Sequence, residues 1–126
     1  MYWERFDYIP RSDRVFVRPI LADMYERSGG SRAETRQAII TQTAKWSQDM
    51  GRTLDYLETR GDVDVTKVAY MGLSMGSSTA PIMLVYEDRF KVAVLLAGGI
   101  SNGEITSRLV PSVTVPLLLL GGRYDY

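Results

Sequence analysis

A β-type run built on Val68, Ala69 and Tyr70 leads directly into Gly72-Leu73-Ser74-Met75-Gly76, and a helix-compatible run follows at once. This junction constrains the chain more than any other feature. A strand-to-helix turn that tight forces its central residue into a strained backbone conformation. The flanking positions crowd against neighbouring chain, and Gly72 and Gly76 are read as relieving that crowding because they lack Cβ. The Ser74 hydroxyl is then expected to project from the top of a sheet. The Met75 amide N–H is expected to point from the helix start towards any oxyanion formed there.

The rest of the chain alternates helix and strand, which predicts an α/β fold with a mostly parallel sheet and flanking helices. Trp3 to Arg11 is compatible with a short helix. Arg14 to Ile20 reads as a strand on Val15, Phe16 and Val17, and Ser28-Gly29-Gly30-Ser31 as a turn. A long helix is expected from Ala33 to Thr59, with Trp46, Met50, Leu54 and Leu57 on one stripe and Asp49 and Arg52 on a solvated face. Gly61 is read as closing it. Further strands are expected over Lys67 to Met71, Val92 to Ala97 and Val115 to Leu120. The helix after Ser74 should reach Asp88 and kink at Pro81, which lacks a donor. Gly98 to Pro111 reads as a loop with room for one helical turn. No linker or repeat divides the 126 residues, so one domain is expected.

Composition narrows the function. Lys plus Arg and Asp plus Glu are 15 each, and no basic stretch points to nucleic acid or an anionic membrane. No apolar run approaches membrane-spanning length and the N-terminus has no signal-peptide core, so a soluble, cytoplasmic protein is expected. Cysteine is absent, which excludes disulfides and thiolate chemistry. Histidine is absent too, which removes the commonest general base and metal ligand. No cofactor and no metal are expected.

Gly-Leu-Ser-Met-Gly is a G-x-S-x-G pentapeptide, and its strand-to-helix context makes Ser74 a candidate acyl-transfer nucleophile. A glycine-rich turn without chemistry and a phosphate-binding turn are the other readings. The pentapeptide has neither the Lys-Ser/Thr of a P-loop nor dinucleotide G-x-G-x-x-G spacing. Asp125, just past a buried strand in a glycine-flanked turn, is a candidate for the acid that orients an imidazole; taken alone it would read as a surface aspartate.

These segments resemble bacterial α/β-hydrolases of the acetyl-xylan-esterase and dipeptidyl-aminopeptidase-like group, related to prolyl oligopeptidases. Trp46 to Arg60 looks like the helix before the nucleophile elbow, Val68 to Gly76 like the elbow, and Val115 to Asp125 like the strand that presents the acid. Pro19 to Arg27 is similar to members fused to protein-kinase domains. The resemblance implies a serine esterase or peptidase acting on a small-molecule ester or peptide, with Ser74 as nucleophile, Asp125 as acid, and a histidine some tens of residues beyond. It also implies an oxyanion loop after an earlier strand, and a strand between Arg14–Ile20 and Lys67–Met71. Neither is found in the sequence, so an incomplete α/β-hydrolase domain is expected. A non-catalytic binding module or a decayed enzyme is the alternative. Oligomeric state is left open.

Overall fold

The computed structural model describes residues 8–28, 35–98 and 104–123. The elements run α1 (Arg36–Glu58), β1 (Ala69–Leu73), α2 (Met75–Tyr86), β2 (Val92–Leu96), α3 (Glu104–Leu109) and β3 (Leu117–Leu120), with short 3-10 turns at Tyr25–Arg27, Val65–Lys67 and Val110–Ser112. The strands form one parallel sheet in the order β1-β2-β3. Tyr70 stands opposite Ala93, which stands opposite Leu117; Gly72, Leu95 and Leu119 align in the same way. This is a parallel sheet flanked by helices, consistent with part of an α/β-hydrolase fold.

Helix α1 starts at Thr35, whose side chain accepts from the Ala38 amide at 3.1 Å and so satisfies one of the free donors of the first turn. Trp46, Leu54 and Leu57 are buried on one stripe. They join Tyr70, Ala80, Met83, Leu84, Phe90, Ala93 and Leu95 in a single core, with Met50 packed against it. Helix α2 buries Ala80 to Leu84 and touches β1, β2, α1 and α3. A helix apolar on most sides belongs in an interior. It runs as one element through Pro81, which is among the most deeply buried residues.

The structure corrects the sequence reading at several places. Arg14 to Ile20 is not a strand: the backbone there is irregular and Val15, Phe16, Val17 and Ile20 are exposed. β-branched and aromatic residues favour a strand only where a ladder partner exists, and among the described residues the sheet begins at β1. The Trp3 to Arg11 helix falls largely outside the described residues, and Tyr8 onward forms a turn in which Ser12 N–H donates to the Ile9 carbonyl at 3.1 Å. Asp49 is not on a solvated face. Its carboxylate accepts from the Ala22 amide and from Arg27, both at 2.7 Å, while the Trp46 indole N–H donates to the Ala22 carbonyl at 2.7 Å. Both polar groups of Ala22 are therefore held against α1, and Leu21, Ala22 and Met24 pack on the core. Helix α1 closes at Glu58, where the Thr59 hydroxyl donates to the Tyr56 carbonyl at 2.7 Å; Gly61 lies beyond in open space and is not the cap.

A second bracing point lies where α2 turns into β2. Arg89 donates to Glu87 at 2.6 and 2.7 Å, to Asp55 at 2.8 Å, to Glu58 at 3.2 Å and to the Gly51 carbonyl at 3.1 Å. Glu87 is buried, so its charge depends on this guanidinium. Arg89 holds the Glu87 carboxyl below its usual range, with burial opposing.

Candidate active site at the end of strand β1

Strand β1 ends at Leu73, two residues further than the sequence pattern predicts, because its ladder continues into the pentapeptide: Gly72 pairs with Leu95 and Leu73 with Leu96. Ser74 is the hinge between β1 and α2. Its N–H donates to the Leu96 carbonyl at 2.9 Å, continuing the ladder between β1 and β2 past Leu73. Its own carbonyl accepts from Ser78 N–H at 3.0 Å, the first bond of the helix. One residue serves both lattices, and its backbone takes φ 52° and ψ −110° to do so. A serine in that region is strained and stays there only because its surroundings leave no alternative.

The side chain of Ser74 makes no capping bond to α2, and the residue is exposed. Met75, the first residue of α2, is also exposed, and its amide is one of the donors that no helical carbonyl satisfies. A hydroxyl and a helix-start N–H thus lie side by side at the carboxyl end of a parallel sheet, where α/β folds place their ligands.

The two pentapeptide glycines differ. A Cβ on Gly72 would lie 2.6 Å from the carbonyl carbon and oxygen of Gly76 and 2.7 Å from the Ser77 nitrogen, so the close approach of strand and helix requires glycine there. A Cβ on Gly76 would meet only the Tyr70 hydroxyl at 3.8 Å, an ordinary contact, so the expected crowding at Gly76 is absent. Tyr70 props the turn from below. It is buried, meets Phe90 edge-on at 5.5 Å and donates its hydroxyl to the Gly76 carbonyl at 2.7 Å. Burial pushes its phenol up to about 12, against a smaller opposing effect of Thr79, so it remains a donor at neutral pH. Thr79 donates to the Met75 carbonyl at 3.0 Å.

Asp125 lies outside the described residues, so the structure describes Ser74 and Met75 but not the proposed acid. The loop expected from Gly98 to Pro111 carries α3 and the Val110–Ser112 turn. At its start are two residues whose roles sequence reasoning missed. Ala97 has φ 47°, and Gly98 lies directly against Ser74. The signal available was the Gly98-Gly99 pair straight after a buried strand. Among the described residues no group of three or more His, Cys, Asp or Glu is placed to hold a metal, and no helix is long and apolar enough to cross a membrane. An open depression of about 350 Å³ lies elsewhere, lined by Pro19, Arg27, Asp49 and Tyr56 among others. It contains no elbow residue.

The model of the dienelactone hydrolase family matches residues 18–126, which include the elbow and the whole sheet. The chain belongs to the dienelactone hydrolase family. Membership in this family makes it a hydrolase-type chain of α/β architecture, in agreement at that level with the resemblance read from the sequence. Comparison with curated proteins and with solved structures gave no match.

Proposed function

We propose that this dienelactone hydrolase family chain carries the nucleophile of a serine hydrolase, which cleaves an ester or peptide bond in a small substrate through an acyl-enzyme on Ser74. The observation that carries the reading is the backbone of Ser74, held at φ 52° between a sheet bond and the first helix bond with its side chain uncommitted to capping. Backbone strain of this kind clusters at functional sites, and at Ser74 it coincides with a free hydroxyl at a helix start.

Ser74 Oγ attacks the carbonyl carbon while its proton passes to a base. The oxyanion of the tetrahedral intermediate accepts from the Met75 N–H. Collapse breaks the bond to the leaving group, which takes the proton; water then attacks the acyl-enzyme and releases the acid. The chain has no histidine, so the base is a residue outside these 126, oriented by Asp125 as in other triads. The lysines of the chain are poor substitutes. A lysine base needs a lowered pKa. Lys67 is instead raised by its bond to Asp64, Lys45 pairs with Asp23, and Lys91 donates to the Asp88 carbonyl at 3.5 Å.

The missing histidine also favours a second reading, a hydrolase-like binding module. Fluorophosphonate labelling of the whole encoded protein separates the two. The enzyme reading expects covalent labelling that Ser74→Ala abolishes, with kcat on any accepted ester falling by several orders of magnitude, ~10⁶ in a well-studied protease. It expects the 126-residue chain alone to be inactive. Undiminished labelling of Ser74→Ala rejects Ser74 as nucleophile, and a wild-type protein that never labels supports the module.

A further inference from the structure

We infer that Gly98, together with the left-handed corner at Ala97, is a positioning element for Ser74: the start of the β2–α3 loop is a backstop that fixes where the nucleophile stands. The inference rests on the serine hydrolase reading of Ser74. A Cβ built on Gly98 would lie 2.4 Å from the Ser74 carbonyl oxygen and 3.0 Å from both its carbonyl carbon and Cα. All three are backbone atoms, so no flexible side chain can swing away. Reaching ordinary contact at 3.4 Å requires a displacement of about 1 Å, the difference between 3.4 and 2.4.

Neither side is free to give way. Ser74 is held by its bonds to Leu96 and Ser78, and Ala97 N–H donates to the Leu120 carbonyl at 2.9 Å. The Ser78 hydroxyl reaches the Gly98 carbonyl at 3.4 Å. Ala97 reaches this position only by adopting φ 47°, unfavourable for alanine. The bonds from Ser74 to Leu96 and from Ala97 to Leu120 run in sequence across the ends of β1, β2 and β3. The corner thus ties the nucleophile to the strand that leads toward Asp125. Gly98 touches no reacting atom; it acts through the backbone of Ser74. A misplacement of about 1 Å costs a reaction on the order of 10²-fold.

The test is the fluorophosphonate labelling rate of the whole encoded protein, resolved into its maximal rate and its half-saturating probe concentration. Gly98→Ala, assayed well below its melting temperature, is expected to lower the maximal rate about 10²-fold and leave the half-saturating concentration unchanged. A merely structural glycine would lower the melting temperature and leave the rate per folded molecule alone, and that result overturns the inference. Should Gly98→Ala not fold, Ala97→Val loads the same corner, since a β-branched residue tolerates φ 47° less well than alanine and position 97 is exposed. It is expected to lower the maximal rate and leave the half-saturating concentration unchanged, and a wild-type rate overturns the inference. Ser74→Ala run in parallel separates the two failures. If it still labels, the nucleophile reading and this inference fall together; if it is silent while Gly98→Ala labels normally, only the inference falls.

Discussion

The two faces of the sheet are made of the same kinds of residue and have different surroundings. On one face Tyr70, Gly72, Ala93 and Leu95 are buried against α2 and the core behind it. On the other, Leu73, Val92, Leu118 and Leu120 are exposed, at 42%, 38%, 51% and 52%. The cover also runs out sideways: Leu119 aligns with Gly72 and Leu95 yet is 48% exposed, because α2 spans β1 and β2 and stops short of β3. Parallel strands are built for burial on both faces, which is why their sequences read as continuous apolar runs. Here one helical layer does the packing among the described residues, and the stability of the sheet should reside in that layer.

Truncating a side chain on each face tests this most directly. Leu95 is 1% exposed in the core, and Leu95→Ala is expected to cost ~2–5 kcal/mol in chemical denaturation. A cost under 1 kcal/mol on the scale of ordinary surface changes would mean that the core is not where the structure puts it.

Next in size is the brace that holds α1 beside the covered face. Arg89→Ala strips the buried Glu87 of its cation and removes the links to Asp55, Glu58 and Gly51, for an expected loss of about 2 kcal/mol. The same pair sets a pH dependence. The Glu87 carboxyl titrates below its usual range in the folded chain, so its contribution is present at neutral pH and is lost as pH falls through the folded value. Melting temperatures measured from neutral to acid pH should therefore fall more steeply for the wild type than for Arg89→Ala. Parallel curves would show that Glu87 gains nothing from Arg89.

The smallest effect belongs to the open face. Leu118→Ala removes as many atoms as Leu95→Ala and is expected to change stability by no more than about 0.5 kcal/mol. A cost approaching that of Leu95→Ala would mean that a second layer covers this face in solution, and the contrast between the faces would disappear.

Much of the elbow was legible in the sequence because its determinants are contiguous: a strand pattern, a pentapeptide and a helix pattern in one stretch. The strain at Ser74 and the need for glycine at position 72 follow from that spacing. What was not legible depends on partners distant in the chain. Val15 to Val17 has the composition of a strand but joins no strand of the sheet among the described residues. Asp49 looks like a surface charge until the Ala22 amide is seen to lie on it. The need for glycine at Gly98 arises from the backbone of Ser74; the Gly98-Gly99 pair after a buried strand hints at a close approach but does not name the partner. Even the end of β1 depends on such a partner, since pairing with Leu95 and Leu96 draws Gly72 and Leu73 into the ladder.

The bond from Ser74 N–H to the Leu96 carbonyl also bears on the order in which the protein is made. A nascent chain that has just delivered Ser74 holds the full pentapeptide but not the acceptor that completes its turn. That acceptor arrives only after α2 and β2 have been synthesised, and the backstop at Gly98 follows directly behind it. The corner is thus set by strand β2, which emerges after the serine it holds. Until that strand has left the ribosome, Ser74 is an ordinary serine in an unfinished loop.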